Sequence, residues 1–238
     1  MIILAFDGTA KAASVAVTDN EKILAEYTID NGLTQSELLL PMAESALRSL
    51  GLTFDDVELY ATAAGPGSFT GVRIGVSLVK GLAFGRNIPC IGVSTIEALA
   101  ENLRGLDGVL LPCMDARRGQ AYTATFISDG EILTRETEDR AIALADLSSE
   151  LKAYGDKKIY VSGDGYAVAR RALCDAGLKI ENTPELLIRE NAASVARVAY
   201  KKYTIGEYST DLELSPTYLR MPQAERERLE RLAKEKDN

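Results

Sequence analysis

Apolar residues change their period repeatedly along this sequence, and each change marks an element. Residues 2–6 are a continuous apolar run that ends at Asp7, the pattern of a strand buried on both faces. The turn Gly8-Thr9-Ala10-Lys11 follows, then Ala13 to Val17 as a second strand and Lys22 to Ile29 as a third. Thr34 to Glu37 has the spacing of a capping box, with Thr34 as N-cap. It predicts a helix to about Leu50, ended by Gly51 and bent at Pro41, which removes one backbone hydrogen bond. Val57 to Ala63 reads as a strand, Gly65 to Ser68 as a loop and Thr70 to Phe84 as a helix. Cys90 to Val93 is another strand, and Ser94 with Glu97 repeats the capping box before a helix that ends near Leu103.

Beyond Leu103 the pattern restarts. Val109 to Met114 is an apolar strand ending at Asp115, Arg117 to Gln120 is a turn, and Tyr122, Ala124 and Phe126 alternate in a return strand. A helix over 144–154, a strand over 158–162, the loop Gly163-Asp164-Gly165 and a helix over 166–176 follow. The order strand–Asp–turn–strand, then strand–Gly loop–helix, therefore occurs twice. It predicts an internal duplication of two α/β halves, over residues 1–103 and 104–215. A helix over 191–203 and an extended stretch from Leu214 to Arg220 follow. Residues 216–238 read as a third segment, extended at first. Its last part has Glu227/Arg231 and Glu230/Lys234 at helical i,i+4 spacing, which predicts a solvated, charge-balanced helix.

Composition narrows the chemistry. The 238-residue chain contains no histidine. That removes Ser-His-Asp and Cys-His catalysis and HExxH zinc sites, and with them a peptidase of those kinds. The net charge is −8, with −6 carried by residues 1–103, so the first half repels a polyanion and is a poor primary surface for RNA. Three cysteines, Cys90, Cys113 and Cys174, have apolar neighbours and no CxxC spacing. They read as buried free thiols of a reducing compartment. No apolar run reaches the roughly 18 residues that span a bilayer, and the N-terminus lacks a basic leader region. A cytoplasmic protein without a membrane partner is expected.

Three features could carry function. The Asp7-Gly8-Thr9 turn, with Asp115 in the second half, has the composition of a phosphate loop, in which an Asp orients a metal-bound water beside backbone donors. It is equally a good turn sequence. Gly65 to Gly71, GPGSFTG, lacks the Gly-Lys-Ser/Thr of a Walker A loop. The helix behind it has two apolar faces. Val72, Val76, Val79 and Ala83 form one; Gly71, Gly75, Leu78, Leu82 and Gly85, flanked by Ile74, Ser77 and Gly81, form the other. The first face suits the sheet of its own domain. The second, with Leu38, Leu39, Met42 and Ser45 on the helix near 36–50, suits a helix-on-helix partner interface. A substitution such as Gly75→Leu is then expected to block dimerisation without unfolding the monomer.

The chain resembles the TsaB (YeaZ) family. The resemblance rests on Ile2 to Asp7 with Ser14-Val15-Ala16, Gln35-Ser36 before Leu39-Leu40-Pro41, GPGSFTGVRIG over 65–75, and Gly81-Leu82-Ala83. It continues in Gly92 to Thr95, Asp115-Ala116-Arg117 and Pro216 to Arg220. It is dense to residue 117 and thin over 130–210. It implies an actin-like (ASKHA) fold of two α/β subdomains with mixed sheets. It further implies a non-catalytic dimerisation subunit that pairs with a catalytic paralogue, TsaD, and recruits a small ATPase, TsaE. The complex transfers a threonylcarbamoyl group to the tRNA adenosine beside the anticodon, so tRNA is met only through the complex. No cofactor is implied for this chain; ATP and metal belong to the partner subunits. A homodimer is implied when the paralogue is absent. At the positions where the paralogue carries two metal-binding histidines this chain has Thr95 and Leu99, and Leu99 cannot coordinate a metal. Many family members have His-Ser where this chain has Gln35-Ser36. The alternatives are an ATP-binding protein or small-molecule kinase of the same fold using Asp7, Thr9 and Asp115, or a nucleotide-sensing module without turnover.

Overall fold

The computed structural model describes residues 1–220. The charged helix expected over 222–238 lies outside the described residues. The first sheet is built from β1 (Ile2–Asp7), β2 (Ala13–Asp19), β3 (Lys22–Ile29), β4 (Leu59–Gly65) and β5 (Cys90–Ser94). Its order is β3-β2-β1-β4-β5, antiparallel through the first three strands and parallel from β1 to β5. Apolar β1 is central, as its unbroken run requires. Its side chains alternate between two cores: Leu4 and Phe6 on one face, Ile3 and Ala5 on the other. β4 starts two residues later than expected, because Thr53 caps a short 3₁₀ turn over Phe54–Asp56.

Two helices cover the Leu4/Phe6 face: α1 (Gln35–Ser49) and α2 (Phe69–Ala83). At the start of α1 the Glu37 carboxylate accepts from both the backbone N–H and the hydroxyl of Thr34. The helix runs on through Pro41. The Gln35 side chain donates to the carbonyl of Ala10 at 2.8 Å, which ties the helix start to the turn after β1. Ser68 caps α2 by accepting from the Gly71 N–H.

The second half begins with β6 (Asp107–Asp115). The expected return strand is present in two pieces, β7 (Gln120–Thr123) and β8 (Phe126–Asp129). Their register is continuous, Cys113 facing Thr123 and Leu110 facing Phe126. The gap falls opposite Pro112, which has no N–H to give the ladder. A third strand, likewise split, runs as β9 (Leu133–Arg135) beside β8 and β10 (Arg140–Ala143) beside β7. The pattern of residues 130–143 did not predict it. After α4 (Leu144–Leu151), β11 (Ile159–Ser162) pairs parallel with the other edge of β6. α5 (Tyr166–Asp175) then packs with α4 on one face of this sheet. A three-stranded meander followed by a parallel strand thus occurs in both halves, and the duplicated actin-like architecture is present.

The boundary between the halves differs from the expected one. α3 (Thr95–Asn102) sends Ile96 and Leu99 into a core shared with Leu110, Met114 and Phe126 of the second half. α6 (Ala192–Thr204), which falls within 104–215, packs instead on the Ile3/Ala5 face of the first sheet. Residue 209 bridges to Cys90 at the β5 edge, and Leu214 is buried in the first core. The apolar face of α6 fits the only sheet face that α1 and α2 leave open, and local sequence carries no mark of that return.

Cys90 and Cys113 are buried, and burial pushes their thiols up to about 11 and about 12. Cys174 is exposed, against expectation, because it faces outward from α5. One thiol per chain should therefore react with a maleimide in the native protein and three after denaturation. Mass spectrometry of the labelled chain counts them; modification of Cys113 without denaturant would contradict the packing.

Candidate functional site

The turns that follow β1 and β6 face each other across a cleft of about 720 Å³. Thr9 and Lys11 line it from the first half, Asp115 and Asp164 from the second. The second turn holds Arg117, Arg118 and Gly119 at φ of 63°, 54° and 71°. Two non-glycine residues in the left-handed region are a costly choice, and they project both arginines to the cleft wall. With Lys11 and Arg220 they give it four cationic side chains in a chain of net charge −8. Asp115 accepts from the Arg117 N–H at 2.8 Å and meets its guanidinium at 3.0 Å.

Asp7, expected beside Thr9 and Asp115, is not on the cleft wall. It lies beneath, 2% exposed, with one carboxylate oxygen accepting from the Thr9 N–H at 2.9 Å and from its hydroxyl at 2.6 Å. The other oxygen, Oδ2, is buried without a partner. Burial raises the Asp7 carboxyl to about 6, and the two bonds from Thr9 work against that shift. Glu190, which sequence reasoning missed, is close enough for the charge of Asp7 to matter. Burial first, then that charge, pushes Glu190 to about 8. It accepts from the Asp164 N–H at 2.8 Å, and Asp164 in turn accepts from the Asp115 N–H at 2.8 Å. Glu190 precedes α6 in a stretch with no local pattern, so only the folded chain reveals its partners. Among the described residues no group of three or more His, Cys, Asp or Glu is placed to hold a metal ion.

The expected interface residues divide into two sets. Leu38, Leu39 and Met42 are buried in the core of the first half, and they are corrected to core residues. Gly71 and Gly75 are corrected as well. A Cβ on Gly71 would lie 1.9 Å from the carbonyl oxygen of Gly8, and one on Gly75 would lie 2.7 Å from Thr62 Oγ1. Gly71 and Gly75 are where α2 meets its own half, at the turn after β1 and at β4. Burying Val72, Val76 and Val79 gains about 1.5–3 kcal/mol each, more than the roughly 1 kcal/mol of helix propensity lost per glycine. Gly75→Leu would therefore disturb the monomer itself. Ser45, Ser77, Gly81 and Gly85 remain exposed, with Ile74 and Leu78 half-buried beside them. Nothing lies within 4 Å of a Cβ placed on Gly81 or Gly85. Phe69, Thr70, Arg73, Ile74 and Ser77 line a shallow depression on this outer face.

The family model described as "TsaD: tRNA N6-adenosine threonylcarbamoyltransferase" matches residues 33–227. The tRNA threonylcarbamoyladenosine biosynthesis protein TsaB of Bacillus subtilis is 35% identical over 164 residues, 69% of this chain and 72% of that one. The chain belongs to the TsaB (YeaZ) family. TsaB of Escherichia coli aligns nearly end to end, 29% identical over 92% of this chain and 95% of its own. The YeaZ structure from Pseudomonas aeruginosa shares the fold, with a TM-score of 0.72, 23% identity and coverage of 92% of this chain and 99% of that one. TsaB proteins belong to the biosynthesis of threonylcarbamoyladenosine in tRNA, which places this chain in that machinery. Among the described residues no helix is long and apolar enough to cross a membrane.

Proposed function

We propose that this chain is a non-catalytic subunit of the threonylcarbamoyl-transfer complex, docking a TsaD-like catalytic paralogue through the outer face of α1 and α2. The observation that carries the reading is at α3. Where the resemblance gives the paralogue two metal-binding histidines, this chain buries Thr95 and Leu99 completely, Leu99 in a core with Ile96 and Met114. A packed aliphatic side chain offers a metal no donor. The docking face is Ser45, Ile74, Ser77, Leu78, Gly81 and Gly85, small residues around two half-buried apolar ones, which lets a partner helix approach closely. A TsaE-like ATPase joins the pair, ATP and metal reside on the partner subunits, and tRNA is met through the complex. Alone, the chain pairs with a second copy through the same face. Ser77→Arg puts a long charged side chain at the centre of that face without touching the core. It should weaken heterodimer formation at least tenfold in a sedimentation titration and leave the melting temperature unchanged. Wild-type affinity in that variant would remove the face from the interface.

A second reading is favoured by the cleft, where Thr9 and Asp115 stand on opposite walls among cationic side chains. An ATP-binding protein or small-molecule kinase would use these with Asp7. Intrinsic ATP turnover that disappears in Asp7→Asn would establish it over the scaffold.

A further inference from the structure

We infer that residues 214–220 form a strap that holds the two halves closed over the cleft, with Arg220 as its latch. The strap is anchored in the first half at four successive points. Leu214 is 4% exposed within the first core. Lys80 of α2 donates to the carbonyl oxygens of Leu212 and Leu214 at 3.1 and 2.9 Å. The Thr217 N–H donates to the carbonyl of Ala64 at 2.8 Å. Gly65 sits at φ 110°, and a Cβ there would meet the Thr217 carbonyl oxygen at 2.5 Å, so a glycine leaves room for the strap to pass. Arg73 then donates to the Tyr218 hydroxyl at 2.7 Å, and the Tyr218 ring lies 5.1 Å from that of Phe69.

Two residues later the strap reaches the opposite half. The Arg220 guanidinium donates to the carbonyl of Ala116 at 3.2 Å and to the Gln120 side chain, and lies 5.5 Å from the Tyr122 ring. Ala116 and Gln120 flank the turn that carries Arg117 and Arg118. Thr217 to Arg220 therefore line the cleft themselves while joining its two walls. The covalent crossings, near 103–106 and 188–191, lie at ends of α3 and α6, and Ala10 packs with Met114 and Phe126 of the second half, so the strap adds a grip at the mouth to these joins. A guanidinium with two acceptors and an aromatic face is a directional clasp, and it is the strap's one described grip on the second half.

The test is a distance across the mouth. Spin labels at Ser36→Cys on α1 and Val168→Cys on α5, in a Cys174→Ser background, report the separation of the halves by pulsed electron resonance. The intact chain should give one narrow distribution. Arg220→Ala should give a broader one shifted to longer distances, and Gln120→Ala, which removes one of the two acceptors and leaves the strap whole, should give a smaller shift in the same direction. Circular dichroism checks that each variant is folded. If Arg220→Ala fails to fold, Gln120→Ala decides alone. Distributions identical to that of the unmutated strap would overturn the inference.

Discussion

Gly71→Val is expected to destabilise the isolated chain by more than about 3 kcal/mol, enough to remove much of the stability of a domain this size. The first atom of the new side chain would lie only 1.9 Å from the Gly8 carbonyl oxygen. That neighbour is backbone, in the turn directly after the central strand, and it cannot swing aside as a side chain would. α2 would have to lift from the sheet, and Val72, Val76 and Val79 would lose their burial with it. Gly81→Ala is the matching control. It lies on the same helix with open space around it, so it should be neutral or stabilising by up to about 1 kcal/mol through helix propensity. Thermal melts of the two variants separate the readings. A Gly71→Val protein that melts like the parent would mean that the seam does not pack on the sheet.

The second large effect is a pH dependence of unusual sign. Asp7 and Glu190 have folded-state values of about 6 and about 8, raised from 3.8 and 4.5. A group whose folded value is raised binds more protons in the folded than in the unfolded state between those two values. The stability it contributes is present below the unfolded value and is lost as pH rises through the folded one. For this pair the loss runs from about pH 4 to about pH 8, where many proteins are at their most stable. Glu190 is 6% exposed, so solvent screens little of the effect, which is on the order of a few kcal/mol. Glu190→Gln keeps an acceptor for the Asp164 N–H and removes the titration. The urea midpoint of the parent should fall between pH 5 and pH 9. The variant should keep only the lower part of that fall, the part belonging to Asp7, and should be the more stable protein at pH 8. Parallel pH curves would show that Glu190 does not titrate in this range.

These two predictions also mark what the sequence could and could not disclose. β1, the capped helices and the repeated strand–turn–strand order were legible, because unbroken apolar runs, capping boxes and turn residues act locally. Pro112 interrupts a strand whose alternation looked continuous, since a missing N–H leaves no trace in a hydrophobicity pattern. The two faces of α2 were legible as faces, yet their directions were not. Both are apolar enough to bury, and only the distances to Gly8 and Thr62 show that Gly71 and Gly75 point inward while Gly81 and Gly85 stay open. Leu38, Leu39 and Met42 were misassigned for the same reason: an apolar stripe does not say whether it meets its own sheet or a partner. Asp7 stood out in the sequence as a phosphate-loop candidate, but its neighbour Glu190 lies 183 positions away in the chain. Such a pairing is set by the return of α6 to the first sheet, a decision made by topology.

Light scattering of the purified chain, alone and mixed with the catalytic paralogue of its own organism, tests the scaffold reading most directly. A particle of two chains that converts to one chain of each kind on mixing is the predicted result. A monomer that ignores the paralogue would contradict it and would leave the cleft as the seat of function.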